Sequence, residues 1–177
     1  MKKLLLVLLT VAVLLLAYLV YSGLFASVTI QMQNMPGYRV MGIQHTGPYE
    51  KIGDAFERVH AIADEHGVKV HMIGIYFDNP NETPEAQLRS LAGLVVSVED
   101  SLKLANVEGI TALTIPSGSA AVSSFKTSGM VSMIIGAVKS YPKLTEYVAE
   151  KNIAEQVNFV YEVYGEGQTE YVMQLAD

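Results

Sequence analysis

The same order of signals occurs twice in this chain. The first pass reads Met35-Pro36-Gly37, a short apolar run from Tyr38 to Ile43, Thr46-Gly47, and then a helical pattern. The second reads Ile115-Pro116, Gly118, an apolar run from Ala120 to Phe125, Ser128-Gly129, and again a helical pattern. Ten residues separate Gly37 from Gly47, and eleven separate Gly118 from Gly129. Units this small cannot bury an apolar face alone, so two copies are expected to share one core.

The helical patterns set the elements. Ile52, Ala55, Phe56, Val59, Ile62 and Ala63 form one stripe at helical spacing. Thr46-Gly47-Pro48 supplies its start and Gly67 its stop. The second helix is expected from about Met130, with Val131, Ile134, Ile135 and Val138 inward. Pro142 should break or kink it before a short piece carrying Leu144, Tyr147 and Val148. Strands are expected where apolar residues alternate or run: Val28 to Gln33, Val70 to Phe77, Leu91 to Val98, Ile110 to Ile115, Val157 to Tyr164 and Tyr171 to Leu175. The expected class is α+β. Tandem strand-helix-strand-strand units, with an extra leading strand, pair into one mostly antiparallel sheet with both helices on one face.

Ahead of the repeat, Leu4 to Tyr21 is eighteen residues without a charge. As a helix it rises roughly 27 Å, near the thickness of a hydrocarbon core. Residues 1–26 therefore read as a membrane anchor, the alternative being a signal peptide cut near Ser22 to Ala26. Residues 27–177 then form one domain. Lys2 and Lys3 precede the span and no cation follows until Arg39. That bias puts the N-terminus in the cytoplasm and the domain across the membrane. Past residue 26, ten basic residues face 18 acidic ones, a net charge of −8. Nucleic acid is therefore not an expected partner. The absence of cysteine excludes disulfides, a thiol nucleophile and cysteine-ligated zinc.

Two strands carry the functional signal. Side chains alternate across a strand, so Ile73, Ile75 and Phe77 share a face opposite Met72, Gly74, Tyr76 and Asp78. Likewise Phe159, Tyr161 and Val163 lie opposite Asn158, Val160, Glu162 and Tyr164. The bulky sets suit packing under the helices. The other sets suit a groove walled by ring faces around one carboxylate, which favours organic cations and flat apolar molecules.

These residues carry a resemblance. His45-Thr46-Gly47-Pro48-Tyr49-Glu50, then Gly74-Ile75-Tyr76-Phe77-Asp78-Asn79-Pro80, then Tyr161-Glu162-Val163-Tyr164 resembles the GyrI-like small-molecule-binding domain. That domain is also the effector-binding domain of bacterial multidrug regulators. The resemblance spans about Val28 to Asp177 and implies the tandem fold read above. It implies Glu162 as the central acid facing apolar or cationic ligands. Tyr164 and Tyr76 become its aromatic neighbours, and Tyr49 closes one end. A membrane helix running through Tyr21-Ser22-Gly23-Leu24 straight into such a domain resembles the family's testis-expressed branch, an endoplasmic-reticulum-phagy receptor. Only that layout is carried over, because no disordered tail follows the last strand here. Some relatives hydrolyse cyclopropane-bearing toxins, with Glu162, Tyr76 and Tyr164 in the matching places. That makes a hydrolase the alternative to a binding protein, and a partner-docking module with a filled groove is the third class. No cofactor is expected. Nor is a metal: His60 and Asp64 stand one helical turn apart, without a third ligand at a recognisable spacing.

Overall fold

Eight strands and four helices form in the computed structural model, which describes residues 1–176. Asp177, the last residue of the expected domain, lies outside them. In chain order the elements are α1 (Lys2–Tyr21), β1 (Ile30–Met35), β2 (Tyr38–Thr46), α2 (Gly53–Glu65), β3 (Met72–Tyr76), β4 (Arg89–Val95), α3 (Val98–Leu104), β5 (Thr111–Ile115), β6 (Gly118–Lys126), α4 (Met130–Glu150), β7 (Val157–Gly165) and β8 (Gln168–Leu175). None of the residues of α1 is buried, and it is the one described helix long and apolar enough to cross a membrane.

The strands form one sheet in the order β1-β6-β8-β7-β3-β4-β2-β5, antiparallel throughout. The order is a palindrome of the repeat. β2-α2-β3-β4 and β6-α4-β7-β8 are the two units, and they meet where β3 pairs β7. Each extra strand crosses over: β1 pairs β6 of the second unit, and β5 pairs β2 of the first. Neither unit is therefore complete without the other.

Helix ends follow their local chemistry. Gly67 takes φ +60° after α2, and the Val68 amide reaches back 2.8 Å to the Ala63 carbonyl. Glycine adopts that left-handed turn without a Cβ clash. Asn152 does the same after α4 at φ 56°, with Ile153 N–H donating to the Val148 carbonyl. α3 has no counterpart among the sequence expectations, which continue the preceding strand to Val98. The strand ends at Val95, and Ser97 caps a new helix by accepting from the Asp100 amide at 3.0 Å.

Two further expectations are corrected. Pro142 does not break α4; the helix runs through it to Glu150, with the proline ring exposed. The inward face of α4 is Ser132, Gly136, Ser140, Leu144 and Val148, whereas Ile134 and Val138 point out at 57% and 69% exposure. The sheet beneath leaves no room for large residues there. A Cβ on Gly136 would clash with the Tyr171 hydroxyl. Ser140 meets Ser123 of β6 at 2.8 Å.

The second correction concerns the faces of the sheet. Ile73, Ile75, Tyr161 and Val163 do not lie under the helices. They join Met35, Val40, Ile115, Ala120 and Val122 in a core without helix residues. That core draws on both outer strands, because the sheet curls until its edges share it. The helices cover the opposite face. α2 packs on Met41, Ala92 and Leu94, and α4 on Ala121, Phe125 and Tyr171. Alternation tells which side chains share a face; it does not tell which face a helix covers.

Candidate functional site

The register of β3 on β7 sets Gly74 directly opposite Glu162. These are equivalent positions of the two units: Ile73-Gly74-Ile75-Tyr76 matches Tyr161-Glu162-Val163-Tyr164. The pairing therefore falls on the pseudo-twofold axis, with Tyr76 and Tyr164 on either side. Their side chains enter the cleft between α2 and α4.

Glu162 is 7% exposed and has no cationic partner. Phenols hold it instead. Tyr164 donates to Oε2 at 2.6 Å, and Tyr141 of α4 donates to Oε1 at 2.8 Å. The Tyr76 hydroxyl lies 3.5 Å from that of Tyr164 and adds a weaker interaction with the acid. Burial pushes the Glu162 pKa up, and the three phenols pull it partly back. Burial and the nearby carboxylate hold Tyr76, Tyr141 and Tyr164 well above the usual phenol range, so each keeps its proton to donate.

The rings interlock edge to face. Tyr76 meets Tyr49 at 4.9 Å and Tyr141 at 6.5 Å between centroids. Tyr164 meets Phe56 of α2 at 5.5 Å, and Tyr141 meets Tyr171 at 5.8 Å. Gly74 makes this possible. A Cβ there would lie 3.1 Å from the Tyr164 hydroxyl and 3.2 Å from both Phe56 and the Tyr76 hydroxyl. A side chain on the axis would displace the donors.

Tyr49 stands one step out. Its hydroxyl donates to the Asp78 carbonyl at 2.8 Å and accepts from the Asp78 amide at 3.1 Å. It reaches the cleft through its ring, which braces Tyr76. The Asp78-Asn79-Pro80 segment is a clasp at the end of the β3–β4 pair. Arg89 grips Asp78 through both guanidinium and backbone amide, each at 2.7 Å, and this holds the Asp78 carboxyl below the usual range. Sequence reasoning brings together Glu162, Tyr76 and Tyr164, and it misses Tyr141 and Tyr171. Tyr141 stands beside Pro142, where the sequence predicts a helix break, so the helical stripe gives it no face. His60 and Asp64 are 3.5 Å apart on the exposed side of α2, and no cluster of three ligating side chains occurs among the described residues.

The cleft is closed over Glu162. Two open hollows lie elsewhere: about 290 Å³ between β5 and α3, lined by Arg39, Leu102 and Leu113, and about 190 Å³ beside β1, lined by Gln31, Gln33 and Val122.

Fold and site together define a domain of two strand-helix-strand-strand units joined at a buried acid among phenols. The chain belongs to the GyrI-like family, since the GyrI-like small molecule binding domain matches residues 29–174. It is 28% identical over 171 residues to human testis-expressed protein 264, covering 92% of this chain and 53% of that protein. It is 31% identical over 100 residues to DNA gyrase inhibitor 1 of Dickeya dadantii, covering 55% of this chain and 64% of that one. The chain thus spans about half the length of the testis-expressed relatives. Among solved structures, SAV2435 bound to tetraphenylphosphonium superposes with a TM-score of 0.58 at 14% identity, covering 83% of this chain and 93% of that one. The EcmrR C-terminal domain gives 0.60 at 17%, covering 85% and 98%. These likenesses show the fold alone.

Proposed function

We propose that this chain is a membrane-anchored binding protein for small apolar or cationic compounds, held between α2 and α4 over Glu162. Tyr76, Tyr164 and Tyr141 form the ring faces, and Tyr49 braces one end. The observation that carries this reading is a buried carboxylate with phenol partners and no cation. Such an acid is costly to bury unless something positive completes it, and aromatic walls suit an organic cation. A ligand enters by displacing Tyr141, whose ring alone among the three donors is carried by a helix. The SAV2435 complex lends support, as a cation-bound member of the same fold. The residues of α1 form the anchor. Lys2 and Lys3 favour a cytoplasmic N-terminus with the domain on the far side. The acidic surface leaves nucleic acid outside this reading.

The test uses the full chain in lipid nanodiscs, with empty discs as control, titrated with tetraphenylphosphonium by calorimetry. Saturable binding is expected, weakened roughly tenfold or more by Glu162→Gln. Equal affinity in both proteins would refute the role of the acid. A hydrolytic use of the cleft is the second reading. It is favoured by the raised Glu162 pKa, which equips the acid to give a proton. Turnover of a cyclopropane-bearing alkylator, abolished by Glu162→Gln, would establish it over simple binding.

A further inference from the structure

We propose that the outward face of the first turns of α4 rests on the lipid surface that anchors α1, laying the domain on the bilayer at its α4 corner. The inference rests on the reading of α1 as a membrane anchor and adds the posture of the domain. α4 is inverted relative to an ordinary surface helix. Its inward positions are the small residues Ser132, Gly136 and Ser140, while Met130, Ile134 and Val138 point out at 76%, 57% and 69% exposure. Those three recur every four residues and make one ridge. Amphipathic helices that lie in a membrane interface present such a face to the acyl boundary.

α4 also meets the exit of the anchor. Lys139 donates to the Ala26 carbonyl at 2.9 Å, and Lys143 to the Val28 carbonyl at 3.0 Å. α4 therefore holds the segment by which the chain leaves α1. Phe25, 76% exposed, stands in the same segment and adds an exposed apolar ring beside the anchor.

Charge points the same way. No Asp or Glu occurs before Glu50, nor between Glu108 and Glu146, in a chain of net charge −6. Those acid-free stretches contain α1, β1, β2, β5, β6 and the first turns of α4. By contrast, Asp54, Glu57, Asp64 and Glu65 all lie on one helix, α2. The first turns of α4 thus bring no carboxylate to the ridge, so no desolvation of an acid opposes its burial in the interface. With the α4 corner in the headgroup layer, the Tyr141 wall of the cleft borders the bilayer, and an apolar ligand reaches it from the lipid.

The chain has no cysteine, so single labels are unambiguous. Ile134→Cys, Val138→Cys, His60→Cys and Leu14→Cys are each made in the full chain, spin-labelled, and placed in phosphatidylcholine–phosphatidylglycerol vesicles. Accessibility to lipid-phase oxygen is compared with accessibility to an aqueous nickel complex. Labels at 134 and 138 are expected at a depth of about 5–10 Å, on the lipid side of the label at 60. The two ridge positions check each other, and circular dichroism confirms that each variant folds. If both ridge labels are as open to nickel as the label at 60, the docking is wrong. It is equally wrong if they are shielded from both reagents, as beneath a second copy of the chain. The Leu14 label separates the two readings: lipid-exposed with water-exposed ridge labels, only the docking fails; in water itself, the anchor fails and the docking with it.

Discussion

Tyr141→Phe isolates the phenol that α4 brings to the buried acid. The substitution removes one hydroxyl and keeps a ring to pack edge to face against Tyr76 and Tyr171. What is lost is a 2.8 Å bond to a carboxylate that is 7% exposed. Hydrogen bonds to charged groups contribute about 1.5–3 kcal/mol. For a chain of this size that corresponds to a drop in Tm of roughly 3–12 °C. The cost applies while Glu162 is ionised. Burial raises the folded-state pKa of Glu162, so the folded chain binds its proton more tightly than the unfolded chain. That contribution to stability is complete below the ordinary glutamate range and is lost as pH rises through the raised pKa. Tyr141→Phe should therefore cost most at neutral pH and little in acid. Near-UV circular dichroism follows the melt through tyrosines, since the chain has no tryptophan. The decisive form is a double-mutant cycle with Glu162→Gln. In the Gln background the Phe substitution should cost far less, and the pH slope should flatten. An equal cost in both backgrounds, at both pH values, would show that the phenol serves packing rather than the charge.

Gly74→Ala should drive the Tyr76 and Tyr164 hydroxyls away from Glu162, costing about 1–3 kcal/mol and weakening cation binding measured by calorimetry. Gly136→Ala should lift α4 off Tyr171 and Phe125, lowering Tm and speeding hydrogen exchange in α4 before α2. For Asp78 the sign is opposite to that for Glu162. Its pKa is depressed by Arg89, so its contribution is present above the ordinary aspartate range and lost as pH falls through the lowered value. Asp78→Asn should remove that acid-side loss and speed exchange of the Arg89 amide, which donates to Asp78.

Period-two alternation was enough to gather Glu162, Tyr76, Tyr164 and Gly74 on one face, because a strand leaves no other choice. The order of the repeat likewise foretold the paired units. Other features lay beyond local pattern. α3 carried its own start in Ser97 and Asp100, outweighed by the apolar run before it. Hydrophobicity pointed the α4 stripe inward at Ile134 and Val138, yet close approach to Tyr171 and Phe125 reserves that face for small residues. Tyr141 escaped for a related reason. A proline deep in a helical pattern argues for a break, whereas tertiary packing carries α4 through it.

The cleft depends on a symmetry that is broken on its axis. Duplication places equivalent residues of β3 and β7 opposite each other on the axis, so an undiverged repeat would set two like side chains face to face. Two carboxylates there would repel, and one would take up a proton. Two glycines would leave the phenols with nothing to donate to. The chain has one of each: Glu162 supplies the acid, and Gly74 supplies the space in which Tyr76 and Tyr164 converge on it. The second unit then adds Tyr141 and Tyr171, while the first offers Phe56 and Ala92 around its own axis residue. The second unit thus provides the charge and two donors, Tyr141 and Tyr164, and the first provides the room and the third phenol, Tyr76, which is why the site exists only where the two units meet.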